Sequence, residues 1–246
     1  MQNILKAEIR KLLTVRSAYI FLLLVVLMVG LDSVLSTRNM ALDTGVLPPE
    51  MLSGMVYSAV TVVGTLVAVY VALMMSHEYR YNLIYHTLTV ARSRAHSLLA
   101  KLTTSVVAGS VFTLVAIIVA VGGAYMGAAL GGGEFASQDF VVWQVMLHSL
   151  VFVNGYALVG LLLAVLFRNI VAPIVLLLLL PGGVEALMSN LIDWVQAEYL
   201  PFGSIGQLIT QDSVLEPLVA VAVFLVYLLP AWIVGGILFL RRDASS

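Results

Sequence analysis

The chain has no cysteine, which excludes disulfides, thiolate metal sites and cysteine nucleophiles together. It is also poor in charge. Lys, Arg, Asp and Glu make up 10% of its 246 residues, against about 25% in a soluble domain, so it cannot cover a water-facing surface. The three lysines follow Leu5, Arg10 and Ala100. No Gly-Lys pair exists, which excludes a phosphate-cradling P-loop, since that motif needs backbone amides and an adjacent ammonium. His77-Glu78 opens like a zinc-protease helix, but the second histidine that motif needs four residues after the first is replaced by Tyr81. His86, His96 and His148 show no ligand spacing, and no serine sits in a nucleophile elbow. No basic stripe with interleaved aromatics points to nucleic acid. Catalytic, metal-binding and nucleic-acid readings all lose their usual support, and no cofactor is expected in this chain.

What the chain has is hydrophobic length. Apolar residues make up 61% and mean hydropathy is +1.07. A membrane-crossing helix needs about 20 largely apolar residues. Six segments qualify, at Ala18–Leu35, Tyr57–Ser76, Thr104–Leu130, Phe140–Phe167, Ile170–Met188 and Pro217–Leu240. Eleven of the twelve Lys and Arg residues fall on one side of this ladder, all but Arg38, and ten of the thirteen acids fall on the other. A basic excess in short loops marks the cytoplasmic face, so both termini are expected there. The expected fold is an all-α integral membrane protein with six transmembrane helices, forming one domain over residues 1–246 with no internal repeat. The basic start and the run Tyr19–Gly30 fit a signal peptide loosely. The long amphipathic segment before that run argues for an uncleaved first span.

Two segments outside the regular spans carry further pattern. Within residues 1–17, Leu5, Ile9, Leu12 and Leu13 share one helical face and Lys6, Arg10 and Lys11 the other, which predicts an amphipathic helix lying in the headgroup region. In the fifth span, Pro181-Gly182-Gly183 predicts a break about 11 residues in. Glu185 follows at once, and an ionised acid at that depth needs water or a partner. It is therefore expected to border a wet outer vestibule. Residues 185–216 are expected to form short helices on the outer surface, bent at Pro201 and Gly203.

Polar residues within spans point to packing or to a pathway. Ser58, Thr61, Thr65, Ala68 and Ala72 form a small, weakly polar stripe at helical spacing. Gln144, His148 and Asn154 lie on the fourth span. Interhelical hydrogen bonding and a path lining both fit such residues. Gly123, Gly127 and Gly131 form a small-residue ridge, read as packing within one protomer ahead of a dimer seam.

The most informative local segment is the cytoplasmic loop over residues 77–101, HEYRYNLIYHTLTVARSRAHSLLAK. It is cationic and aromatic and has no Gly or Pro, a mixture suited to docking another protein. With Glu78 at the end of the second span, then Asn82-Leu83-Ile84, Ala91-Arg92-Ser93-Arg94 and Lys101, it resembles the ABC-2 family of ABC transporter permeases. Ala91 stands where that family usually has Pro, and Asn82 where Gly is common. The basic amphipathic start, six spans and an outer helical segment extend the resemblance over the chain.

The resemblance implies a permease subunit of an ATP-driven transporter with no ATPase domain of its own. It would pair with a second permease, identical or not, in the inner or plasma membrane. Separate ATPase subunits carrying ATP and Mg would dock beneath. A coupling helix between spans 2 and 3 would meet them, with Glu78, Tyr85, Thr89, Arg92, Arg94 and Lys101 as coupling residues. The expected cargo is an amphipathic or hydrophobic molecule, such as a peptide antibiotic, drug or lipid, moved outward. Its path would run past Ser58, Thr61 and Thr65 to Pro181, Gly182, Gly183 and Glu185. The alternatives are a stand-alone secondary transporter or channel, or a structural membrane subunit. The few ionisable residues within the spans weigh against an ion-coupled carrier.

Overall fold

A computed structural model of the chain describes residues 2–48, 50–81, 94–135, 142–192 and 194–241. Helix α1 covers Gln2–Thr14 and is followed directly by α2, Arg16–Thr44. Helix α3 spans Glu50–Arg80, α4 Arg94–Gly131 and α5 Val142–Phe167. The fifth span begins as α6, Val171–Leu179, and ends as α7, Glu185–Leu191. A short helix α8, Pro201–Gly206, precedes the last span, α9, Pro217–Arg241. Among the described residues, six helical segments are long and apolar enough to cross a membrane, and the chain is an all-α membrane protein. The described strands, β1 (Val46–Leu47) and β2 (Glu134–Phe135), are two residues each and pair in parallel between neighbouring loops.

The two best-buried spans, α3 and α5, pack along each other at the centre of the bundle. Their shared core includes Val60, Val63, Val67 and Val71 from α3, and Phe152, Val153, Ala157 and Leu161 from α5. Gly64 makes room for the ring of Phe152. The first, fifth and sixth spans are peripheral and present most of their apolar surface outward, as lipid-facing helices do.

The glycine ridge works within the protomer. A Cβ on Gly127 would lie 2.5 Å from the Val34 carbonyl oxygen and 3.0 Å from the Arg38 amide nitrogen, so α2 and α4 touch backbone to backbone. Gly30, Ser33, Thr37 and Ala41 supply the matching small face on α2. This contact explains why α2 runs nine residues past the expected end at Leu35. Ser33, Thr37 and Ala41 are buried against α4, so the helix continues through polar sequence.

The fifth span departs from expectation at Pro181-Gly182-Gly183. The helix does not break there. It widens into one π-helical turn, Leu180–Val184, and resumes at once as α7. A proline near the start of such a turn loses little, because the widened ladder already leaves nearby groups without α-type partners. The segment before the last span contains short helical elements; Pro201 starts α8, and Gly203, where the sequence predicts a bend, lies within that helix. The segment folds back onto the bundle, where Phe202, Ile205 and Leu208 join the core.

Candidate functional site

At the end of the bundle that carries α1, three helices deliver charge to one buried point. Residues Val71, Met75 and Glu78 recur at helical spacing and are buried, so the carboxylate of Glu78 is carried inward by an otherwise apolar face of α3. On α4 the corresponding face is Ser97, Lys101, Thr104, Ser105 and Ala108. Helix α1 contributes Glu8 and Lys11. The Lys101 ammonium donates to Glu78 Oε2 at 2.5 Å and to Glu8 Oε1 at 3.4 Å. Lys11 donates to Glu78 Oε1 at 2.8 Å and to Glu8 Oε1 at 3.1 Å. Glu8, Glu78 and Lys101 are 3%, 6% and 5% exposed. Buried carboxylates and ammoniums are tolerated only when paired and hydrogen-bonded, and among the described residues this cluster pairs two of each.

Lys11 is the most open member. Partial burial pulls its ammonium down, but the Glu78 and Glu8 carboxylates outweigh that effect and hold it above its ordinary value. The cavity beside the cluster, lined by Leu12, Met74, Thr104 and Leu161 among others, holds about 30 Å³. That is far below the roughly 300 Å³ at which small-molecule sites begin.

The same end of α3 is tied to two more elements. Ser76 Oγ donates to the Asn169 carbonyl at 2.9 Å, and the Arg168 guanidinium lies over the Tyr79 ring, 5.4 Å from its centroid. Arg168 has φ +52°, the left-handed conformation that a tight reversal requires. Asn169 Oδ1 then accepts from the Ala172 amide and caps α6. Across the bundle, Arg94 Nη1 donates to the Leu240 carbonyl at 3.1 Å, which ties the start of α4 to the end of α9.

Of the expected coupling residues, Glu78 and Lys101 are brought together, and Arg94, at the start of α4, donates to the end of α9. Tyr85, Thr89 and Arg92 lie outside the described residues. Glu8 and Lys11 complete the cluster, although sequence reasoning assigned them no such part. The available signal was Glu8, the one acid in an otherwise basic helix, on the same flank as Lys11.

Along the expected path, Ser58 and Thr61 are exposed on α3 and Thr65 is half-buried. Thr61 donates to the Tyr57 carbonyl and Thr65 to that of Thr61. Farther along the stripe, Ala68 and Ala72 turn into the core. Pro181, Gly182 and Gly183 lie in the π turn, with open space beside both glycines. Glu185 does not border an open vestibule. It is buried, and its two oxygens accept from the Phe202 and Gly203 amides, each at 2.8 Å. Asn154 donates to Ser110 Oγ and the Leu150 carbonyl, an interhelical tie between α5 and α4.

The family model described as ABC-2 family transporter protein matches residues 4–181. The chain belongs to the ABC-2 transporter family. The match runs from the start of α1 to the π turn, so it takes in the ionic cluster and both flanks of the loop between α3 and α4. Comparison with curated proteins returns no match. As an ABC-2 family member with six helical segments long and apolar enough to cross a membrane, the chain is a multi-pass membrane transport subunit.

Proposed function

We propose that this ABC-2 permease is the membrane half of an ATP-driven exporter of amphipathic or hydrophobic molecules, powered by separate ATPase subunits that hold ATP and Mg. Two permease chains pair in the inner or plasma membrane, with their termini and the loop between α3 and α4 in the cytoplasm. The observation that supports this reading is the buried cluster of Glu8, Lys11, Glu78 and Lys101. It clamps the two helices that enter and leave residues 82–93 to each other and to α1. A loop meant to receive force needs stiff anchorage, and ion pairs inside a low-dielectric environment provide it.

In this reading Tyr85 and Thr89 enter the ATPase surface, with Arg92 and Arg94 at its rim. Motion received there passes through Glu78 and Lys101 into α3 and α4. It also passes through Ser76 and Tyr79 into the turn before α6. Ser58, Thr61 and Thr65 on the outward side of α3 line the path between paired permeases.

Affinity purification of the tagged chain from its native membrane tests the partnership. An ATPase subunit should co-purify in stoichiometric amount. Tyr85→Ala should then lower the transport obtained per ATP more than Arg92→Ala does, because a central aromatic anchor typically contributes about 2 kcal/mol or more and a rim charge less. Purification without an ATPase, alongside transport that is indifferent to ATP, would leave a stand-alone carrier or channel as the explanation.

A further inference from the structure

Glu185 joins two pieces of chain that the sequence keeps 17 and 18 residues apart, through its bonds to the amides of Phe202 and Gly203. The π turn immediately before it holds one more residue than an α turn, which rotates every later side chain by roughly 100° about the helix axis. The acid thereby meets the first turn of α8.

Helix α8 is inserted like a plug at the end of the bundle opposite α1. The Phe202 ring packs edge-on against Tyr156, 5.2 Å between centroids, and Ser204 and Ile205 are fully buried. Gly155 on α5 leaves space for Ile205, since a Cβ there would overlap its side chain. Gly203 is required for a similar reason, because a Cβ would collide with the Ala197 carbonyl. A second tie, from Tyr227 Oη to the Tyr199 carbonyl at 3.1 Å, is exposed. Among the described residues, the buried hydrogen bonds between α8 and the fifth span are those of this one carboxylate, an acceptor on both oxygens facing two donors.

We propose that Glu185 is the latch of a hinged plug. Its carboxylate holds α8, with Phe202 and Ile205, inside the bundle, and losing that carboxylate lets α8 lift away while the six spans stay packed. This assignment stands whether or not an ATPase drives the chain. If one does, the latch is the device that keeps the far end closed between transport events.

The absence of native cysteine makes the test direct. Ser204→Cys places a thiol on α8, and Ala116→Cys places one at a fully buried position of α4 as a reference. Each is labelled with a hydrophilic maleimide in the purified full-length protein, in three backgrounds: Glu185, Glu185→Gln and Glu185→Ala. Gln keeps one acceptor but turns a donor toward the other amide, and Ala removes both acceptors. Losing a hydrogen bond to a charged group should raise labelling of Ser204→Cys about tenfold or more, with Ala exceeding Gln and Ala116→Cys unchanged. An unchanged rate at position 204 in both variants overturns the proposal. So does an equal rise at positions 204 and 116, since Glu185 would then support the whole bundle and not the plug.

Discussion

Replacing Lys101 with Met would leave one ammonium, that of Lys11, facing the two carboxylates of Glu8 and Glu78. The methylenes of Lys101 are well mimicked, so the change isolates the charge. Lys101 is 5% exposed and touches both acids, at 2.5 Å and 3.4 Å. Removing one partner of a buried pair typically costs about 3–5 kcal/mol, largely because the orphaned charge stays in a poorly solvating place. Lys11 has the same two partners but its side chain is 38% exposed. Water can replace much of what it supplies, and Lys11→Met should cost about 1 kcal/mol or less. Adding Glu78→Gln to Lys101→Met leaves a neutral Lys11–Glu8 pair and should recover at least half of the loss. Unfolding of the purified protein in mixed micelles, titrated with a denaturing detergent, measures Lys101→Met, Lys11→Met, Glu78→Gln and the double variant. Equal, small effects for Lys101→Met and Lys11→Met would refute the reasoning, and so would a double variant as unstable as the sum of its parts.

Other outcomes follow from neighbouring features. Gly127→Leu should cost about 1–3 kcal/mol in the same assay by forcing α2 from α4, whereas Gly122→Leu, with nothing within 4 Å of its added Cβ, should be nearly neutral. Lys11 contributes fully below its ordinary pKa of 10.5, because its folded value lies higher, and the contribution is lost as pH rises through that folded value. Protease access to α1 should therefore increase above that range, and less so in Lys11→Met, which lacks the titrating group. Thr61→Trp and Thr65→Trp should block transport while assembly and ATP hydrolysis persist, and normal transport by both would place the route elsewhere. Single cysteines at exposed positions within residues 40–50, 134–139 and 205–213 should label from outside intact cells, and those within 1–15, 80–98 and 241–246 should not. Labelling at residue 90 from outside would sink that orientation.

The spans were legible because lipid imposes one rule on every residue, and a run of apolar side chains shows it directly. Glu78 and Lys101 could be singled out from the loop they flank. Their meeting with Glu8 and Lys11 could not, because it depends on how α1 rolls against α4. The amphipathic pattern placed Lys11 on the water side, yet its long stem reaches inward from the flank of the helix. Pro181-Gly182-Gly183 read as a break because propensity describes an isolated helix, while a π turn satisfies most of the same backbone groups in place. The role of Glu185 was hidden for a related reason. Its partners are backbone amides, which leave no mark in sequence.

The ionic cluster also sets an order of assembly. Helix α1 is synthesised first, but Lys11 waits 67 residues for Glu78, and Glu8 waits 93 for Lys101. A growing chain adds roughly 5–20 residues each second, so α1 spends several seconds without its final partners. During that interval Glu8 and Lys11, three apart on one helix, can neutralise each other at the membrane surface. Docking of α1 on the cluster is then possible only once α3 and α4 are both inserted. Residues made before their partners are thus secured only after them, and a chain truncated before Lys101 would leave Glu8 and Lys11 with each other but without that ammonium.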